Sequence, residues 1–221
     1  MIRRLDLPGA ACTAPDTGDS RMSAPAALRN RDAIVSELQQ VAPAWGRALE
    51  IASGTGEHVI RFAAAMPGLQ WQPSDPDPAR RRSIAAWSAA HPSPNLLPPL
   101  DLDAARAGWS ARTGAFDLIV LINLLHLISD DEAGTVIAEI ASATTPGGIV
   151  ALYGPFLRDG HPTSDGDAGF HAALRAQDPA IGYKDVADVI AQAADRGLDH
   201  TQTRAMPANN LLLLFCRPVT G

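Results

Sequence analysis

The stretch 49-LEIASGTGEHVIRF-62 decides the fold. A short apolar run, Leu49 to Ala52, breaks into Ser53-Gly54-Thr55-Gly56 and then becomes helix-like. Glycine allows the backbone to approach a ligand closely, and in an open α/β sheet the ligands lie at the carboxyl ends of the strands. A glycine turn between a strand and a helix therefore predicts a site for a nucleotide-like cofactor.

Strand-like and helix-like segments alternate along the rest of the chain. The strand candidates are 47–52, 69–73, 95–102, 116–125, 149–153, 201–206 and 211–216. The candidate at 116–125, FDLIVLINLL, is almost continuously apolar, as is typical of a central parallel strand that is buried on both faces. The alternation predicts an α/β fold with a doubly wound, mostly parallel, seven-stranded Rossmann-like sheet. Only four residues separate the last two strands, so the C-terminal strand must run antiparallel.

The organisation of the chain is predicted to be simple. Residues 1–22 are rich in Gly, Pro, Ser, Thr and Asp, a composition that predicts a disordered tail. Residues 23–221 are predicted to form a single domain. Within it, the segment at about 155–183 contains a loop rich in Gly, Asp and Ser, and we expect it to form a cap or lid.

Composition narrows the classes of partner. The formal net charge is −6, from 18 Lys and Arg against 24 Asp and Glu, which argues against binding nucleic acid mainly by phosphate neutralisation. No apolar run approaches the ~18 to 20 residues that span a membrane, and the two cysteines show no metal-ligand spacing. We therefore expect a cytoplasmic protein, a possible homodimer, with a small-molecule substrate, no nucleic-acid or membrane partner and no metal site.

The spacing of the glycines distinguishes between cofactors. The dinucleotide fingerprint G-x-G-x-x-G needs a third glycine at position 59, where the chain has Val59. The P-loop pattern is absent as well. A cofactor that is held through its pyrophosphate is therefore disfavoured.

The same turn resembles the acidic-x-Gly-x-Gly-x-Gly signature of class I S-adenosylmethionine (SAM) methyltransferases. Glu50 supplies the acidic residue, Ala52 replaces the first glycine, and Gly54 and Gly56 supply the other two. An acidic residue is then expected about 20 residues on, at the end of the second strand, to bind the ribose hydroxyls. Asp75 stands there.

Two later strand ends complete the expected pattern. After the third strand, either Asp101 or Asp103 is expected to face the adenine amino group. After the fourth strand comes 122-INLLH-126, where this fold places cofactor and substrate contacts.

Several segments together resemble one family. They are 24-APAALRNRDAI-34, 49-LEIASGTGEH-58, 71-WQPSDPD-77, 96-LLPPLDLD-103, 153-YGPF-156 and 207-PANNLLLLF-215. They look like a bacterial group of SAM-dependent methyltransferase-like proteins, long catalogued as a domain of unknown function, with animal methyltransferase-like relatives. The resemblance runs from about Ser23 to Arg217 and implies the class I fold and the cofactor, but no substrate.

The resemblance also draws attention to Arg29 and Asn30 on the first helix. Arg29 is expected either to pair with the cofactor carboxylate or to form a surface ion pair.

These arguments give a candidate site. The cofactor-binding residues are predicted to be Arg29, Asn30, Glu50, Ala52, Gly54, Gly56, Asp75, Asp101, Leu102, Asn123 and Leu124. His126 follows the fourth strand and Tyr153 ends the fifth, so both are candidates for base or substrate ligand in catalysis.

The sequence therefore predicts a SAM-dependent methyltransferase that acts on the oxygen, nitrogen or sulfur of a small molecule. Two alternatives remain open. One is a SAM-binding sensor or partner subunit without catalysis, and the other is an NAD-dependent oxidoreductase.

Overall fold

The structure, a computed structural model, describes residues 20–219. Most of the predicted tail, residues 1–19, lies outside the described residues. The chain divides into two compact units, Met1–Asp103 and Ala104–Gly221.

The first unit alternates helices and strands. Its elements are α1 (Pro25–Gln39), β1 (Gly46–Ile51), α2 (Glu57–Ala65), β2 (Leu69–Pro73) and α3 (Pro78–Ala90). β1 and β2 pair in parallel, with Gly46 opposite Leu69 and Glu50 opposite Pro73. Helix α3 begins where the sequence provides both start signals, because Asp77 caps the N–H of Ala79 at 2.7 Å and Pro78 follows it.

The predicted strand at 95–102 is wrong as a regular strand. Only two isolated parallel bridges form there, between Trp71 and Leu96 and between Ser74 and Leu100. The segment still runs beside β2, because the N–H of Leu97 donates to Trp71 O at 2.9 Å and the N–H of Leu100 donates to Pro73 O at 2.9 Å. Two consecutive prolines, at 98 and 99, carry no N–H group and interrupt the ladder between these contacts.

The second unit contains the remaining elements. They are α4 (Ser110–Thr113), β3 (Phe116–Ile122), a 3-10 turn (Leu125–Leu127), α5 (Asp130–Ala143), β4 (Thr144–Gly154), β5 (Phe156–Leu157), α6 (Asp165–Gln177), β6 (Lys184–Asp185), α7 (Val186–Ala194), β7 (Asp199–Ala205) and β8 (Leu211–Cys216). The strands of this unit lie in the order β3-β4-β8-β7, and β5 pairs with β6 separately. β3 and β4 are parallel, whereas β8 is antiparallel to both of its neighbours.

The predicted fold class is confirmed, with one strand fewer than expected. Residues 20–219 contain a six-stranded, mostly parallel sheet with an antiparallel C-terminal strand. β3 is the run that the sequence predicts to be central. Five of its seven residues have no solvent-exposed surface. It ends at Ile122 because Asn123 adopts a left-handed φ of 55°. Among the described helices, none combines the length and the apolar character needed to cross a bilayer.

Candidate functional site

The glycine turn of the first unit is a tight left-handed loop. Ala52, Gly54 and Gly56 have φ values of 53°, 57° and 97°. At Gly56 a Cβ atom would lie 2.9 Å from the Cα of Ile84, so no side chain fits there. Ala52 has the left-handed φ despite its side chain, which costs of the order of 1 kcal/mol. The turn is therefore a constrained structure and not a mobile linker.

The backbone N–H groups of this turn already have partners. The N–H of Ser53 donates to Ser74 O at 2.7 Å, and the N–H of Gly56 donates to Ser53 O at 3.1 Å. The N–H of Gly54 donates to Asp75 Oδ2 at 3.0 Å. Three of the four N–H groups of residues 53–56 are thus engaged within the protein.

Asp75 joins the end of β2 to the glycine turn, as the sequence predicts. Its Oδ1 accepts from the N–H of Asp77 at 2.9 Å, while its Oδ2 accepts from Gly54. The side chain is fully buried, and burial raises the pKa of Asp75. Each carboxylate oxygen has two lone pairs, so each can still accept one further hydrogen bond. Two adjacent hydroxyl groups would match this capacity.

Glu50 carries a buried oxygen without a partner. The residue is 1% exposed, and its Oε2 has no hydrogen bond within residues 20–219. Burial is the main cause that raises the pKa of Glu50 to about 8, with a smaller contribution from the negative charge of Asp75. The carboxyl group is therefore mostly protonated at neutral pH until a cationic partner approaches it.

Helix α1 contributes Asn30 to the same unit. Its Oδ1 accepts a hydrogen bond from His58 Nε2 at 2.8 Å, and both residues are buried. Burial lowers the pKa of His58 to about 4, with a smaller contribution from the positive charge of Arg31. Arg29, the residue proposed from the sequence, is exposed. Arg31 was missed, although its place beside the buried positions of α1 distinguishes it from Arg29.

The segment after β2 places its acidic residue at the surface. Asp101 is 73% exposed and accepts a hydrogen bond from Arg81 at 3.0 Å, while Leu102 is buried. Arg81 also donates to the backbone oxygen of Asp75 at 2.8 Å. Arg81 thus connects Asp101 to the end of β2, but no described hydrogen bond joins Asp101 to the glycine turn.

In the second unit, the carboxyl ends of β3 and β4 lie side by side. The N–H of Asn123 donates to Tyr153 O at 2.8 Å. A Cβ atom on Gly154 would lie 3.7 Å from Asn123 Oδ1 and 3.9 Å from His126 Nδ1. Tyr153 is buried, and Leu124 is half-buried. The structure therefore brings four predicted residues to one end of these two strands.

His126 lies in a cluster of aromatic rings. Its ring centroid is 5.9 Å from that of Phe170 and 6.0 Å from that of Tyr183, both in edge-to-face geometry. Burial lowers the pKa of His126 to about 3, with a smaller contribution from the positive charge of Lys184. The imidazole is therefore neutral at physiological pH. It can accept a hydrogen bond but is a weak base.

Sequence reasoning missed Phe170 and Tyr183, because neither belongs to a recognisable motif. Tyr183 is held by two contacts: its hydroxyl donates to Asp167 Oδ1 at 3.4 Å, and its N–H donates to His171 Nδ1 at 3.0 Å. Phe170 and Asp167 lie on α6, within the segment predicted to be a lid. The only sequence signal that could have pointed to Phe170 and Tyr183 was the position of their segment after β4.

No metal site is found in the described part of the chain. Residues 20–219 contain no group of three or more His, Cys, Asp and Glu side chains that could hold an ion. The site chemistry described above consists of carboxyl, amide, imidazole and guanidinium groups.

Comparison with known proteins places these features in a wider context. Residues 21–217 match the family model described as "Protein of unknown function (DUF938)". An O-methyltransferase family protein from Burkholderia thailandensis has a similar structure, with a TM-score of 0.71 and 20% identity, over 86% of this chain and 59% of that one.

Two further solved structures are similar. One is mitomycin 7-O-methyltransferase MmcR, with a TM-score of 0.74 and 15% identity over 88% of this chain and 55% of that one. The other is human N-acetylserotonin methyltransferase in complex with SAM, with a TM-score of 0.66 and 15% identity over 80% of this chain and 48% of that one. The chain thus spans about half the length of these proteins. At such identities the likeness shows the fold, and it confirms the predicted Rossmann-like class.

Proposed function

We propose that this chain, which belongs to the family described as "Protein of unknown function (DUF938)", is a methyltransferase that uses SAM and acts on a small-molecule nucleophile. The observation that carries the proposal is the hydrogen bond between the N–H of Gly54 and Asp75 Oδ2. It fixes a carboxylate beside the glycine turn, and each of its oxygens can still accept one hydroxyl group.

The turn suits a cofactor without phosphate groups. A pyrophosphate is normally bound by free backbone N–H groups at such a turn. Here the N–H groups of Ser53, Gly54 and Gly56 have protein partners. This argues against the NAD-dependent alternative and favours a cofactor that is held through its ribose hydroxyls and its amino-acid part.

Glu50 fits the amino-acid part of SAM. Its unpartnered, buried Oε2 is suited to accept a hydrogen bond from an ammonium group. A ribose would reach Asp75 by displacing Arg80, whose exposed side chain lies 3.7 Å from Asp75 Oδ2. Asp101 and Leu102 are proposed to flank the adenine, while the assignment of Asn123 and Leu124 as cofactor contacts stays a prediction from the sequence.

The solved structures support this assignment. Two of those proteins are named as O-methyltransferases, and the third, human N-acetylserotonin methyltransferase, is in complex with SAM. This chain shares their fold over most of its own length but spans only about half of theirs. Its methyl acceptor is therefore proposed from its own residues.

The cofactor supplies the methyl group as an activated sulfonium, so the protein must mainly bind and align the reactants. His126, being neutral, is proposed to accept a hydrogen bond from the acceptor, and Tyr153 to orient it. A histidine whose pKa is lowered to about 3 removes a proton poorly. The acceptors we favour are therefore weakly basic amines, which are uncharged at physiological pH and can donate a hydrogen bond to His126, or oxygen and sulfur acids that are already ionised, which would accept one from the imidazole N–H.

A non-catalytic SAM-binding protein is a second candidate, favoured by the packing of His126 against Phe170 and Tyr183. If those rings stay closed when SAM is bound, no acceptor can reach the imidazole. Transfer of a labelled methyl group from SAM to any small nucleophile would decide for the enzyme.

The remaining predictions are argued from sequence. A small-molecule acceptor, and not nucleic acid, is supported by the net charge of −6. The cytoplasmic location, the homodimer and the animal relatives stay predictions.

Asp75→Asn tests the proposal. The change removes the carboxylate charge and one acceptor oxygen, so we expect the affinity for S-adenosylhomocysteine to fall roughly 10- to 100-fold in calorimetric titration. The matched control is Asp77→Asn, two residues away, because asparagine caps a helix as well as aspartate does. Equal affinities in Asp75→Asn and the unmodified protein would refute the role of Asp75.

A further inference from the structure

Helix α1 is fixed to the beginning of α2, the helix that follows the glycine turn. Glu57, the first residue of α2, accepts hydrogen bonds from Ser23 Oγ at 2.9 Å and from the N–H of Ala24 at 2.8 Å. Six residues after Ala24, in the second turn of α1, Asn30 Oδ1 accepts from His58 at 2.8 Å. Consecutive residues of α2 thus hold consecutive turns of α1, so the side chains beside Asn30 have defined positions.

Arg31 places an unsatisfied donor at this junction. Its Nε is buried and has no hydrogen bond within residues 20–219. The nearest acidic atom described is Asp32 Oδ1 at 3.9 Å, on a side chain that is 67% exposed. Asp32 is also bound by Arg61 at 2.9 Å. A buried guanidinium N–H without a partner is costly, which indicates that Arg31 is arranged for a ligand.

Asn30 offers a second donor group next to Arg31. Asn30 is 7% exposed, and its only described side-chain hydrogen bond uses Oδ1, which accepts from His58. The described hydrogen bond uses Oδ1 and leaves the Nδ2 amide group to donate to a ligand. Two donors, one of them charged, therefore lie at the first turn of α2, where the helix dipole also favours an anion.

We infer that Arg31, together with Asn30, binds the α-carboxylate of the amino-acid part of SAM and so selects SAM over its decarboxylated form. The inference rests on the proposed function. A carboxylate matches the planar guanidinium group and can accept from it and from the amide at the same time. No described acidic side chain competes for the buried Nε within hydrogen-bond distance.

Arg29, the residue predicted from the sequence, fits this role less well. The buried residues of α1 are Ala27, Asn30, Ile34 and Leu38. At ~100° per residue, Arg31 lies roughly 55° from the centre of this stripe and Arg29 roughly 145° from it. Arg29 is exposed accordingly, and it provides a matched control on the same helix.

The test is calorimetric titration of Arg31→Gln and Arg29→Gln with SAM and with decarboxylated SAM. The two ligands share the sulfonium and the ammonium groups and differ in the carboxylate alone. The unmodified protein should bind SAM at least tenfold more tightly. Arg31→Gln should weaken SAM roughly 10- to 100-fold and leave decarboxylated SAM within about twofold, while Arg29→Gln should change neither.

Other outcomes separate the inference from the proposed function. If Arg31→Gln weakens both ligands equally, or neither, Arg31 does not contact the carboxylate and the inference fails. If the unmodified protein binds neither ligand, the proposed function fails and the inference fails with it. Arg31→Lys covers the case in which Arg31→Gln does not fold. This variant keeps the positive charge but loses the planar guanidinium group with its paired N–H donors. It should therefore retain part of the preference for SAM. A lysine variant with the full preference of the unmodified protein would overturn the role of Nε.

Discussion

At the scale of single residues, Glu50 links the site to the stability of the fold. Its carboxyl group is buried in a compact unit whose glycine turn tolerates little change, since a side chain at position 56 would meet the backbone of α3. Keeping this group protonated avoids a buried charge. The free-energy cost of a buried charge appears when the solvent pH rises and the carboxyl group loses its proton.

We predict that stability falls as pH rises through the range of the Glu50 titration. The pKa of Glu50 is raised from 4.5 to about 8 in the folded state, so between these values the folded state binds more protons than the unfolded state. The free energy of unfolding should therefore decrease between about pH 4.5 and pH 8. Glu50→Gln should remove this contribution and be more stable above pH 8 by roughly 3 to 5 kcal/mol.

Urea denaturation of both proteins at pH 5, 6.5 and 8.5 measures the effect. The two should be most alike at pH 5 and should diverge towards pH 8.5. Parallel pH profiles would show that Glu50 is not protonated in the folded protein.

The arginines of α1 show what sequence reasoning could not supply at this scale. A family resemblance drew attention to Arg29 and Asn30, and Asn30 is indeed buried. The orientation of α1 depends on which of its sides packs on α2, and that is fixed by the contacts of Glu57 and His58. The position of Asp75, in contrast, was predictable from the sequence, because the ends of neighbouring parallel strands must meet at one edge of a sheet.

At the scale of elements, α6 depends on a hairpin turn that is distant in the sequence. Asp167 Oδ2 accepts from Ser164 Oγ at 2.7 Å and from Asn209 Nδ2 at 3.0 Å. Asn209 lies in the turn between β7 and β8 and has a left-handed φ of 59°. The other carboxylate oxygen of Asp167 accepts from Tyr183, whose ring contacts His126. One carboxylate therefore holds α6, the hairpin and the aromatic cluster together.

Asp167→Ala should loosen these elements without unfolding the protein. We expect faster amide hydrogen exchange at 164–170 and 207–210, and a loss of stability of about 1 to 2 kcal/mol, because the hydrogen bonds are partly exposed. Asp165→Ala removes an exposed carboxylate from the same helical turn and serves as the control. Unchanged exchange at 207–210 in Asp167→Ala would show that the hairpin is held by other contacts.

Strand limits were the least predictable feature of the elements. The sequence predicted a strand at 149–153, whereas β4 begins at Thr144 and ends at Gly154. Thr144 pairs with Phe116, and the register then shifts before Leu118 pairs with Ile149. Such an irregularity arises from pairing with a neighbouring strand, so local sequence signals do not reveal it.

At the scale of the whole molecule, the order of strands and helices was predictable, and with it the strand ends that carry Asp75, Asn123 and His126. The spacing of the hydrophobic residues and the positions of the turn residues indicate this order. The partners of His126 were not predictable, because Phe170 and Tyr183 reach it from segments more than 40 residues away.

The central claim is that the glycine turn holds SAM and not a dinucleotide. Parallel calorimetric titration of the unmodified protein with SAM, S-adenosylhomocysteine and NADH tests it most directly. We predict saturable binding of SAM and S-adenosylhomocysteine and no binding of NADH, because three of the four N–H groups of residues 53–56 already have partners within the protein. Binding of NADH, or no binding of either SAM or S-adenosylhomocysteine, would contradict the account.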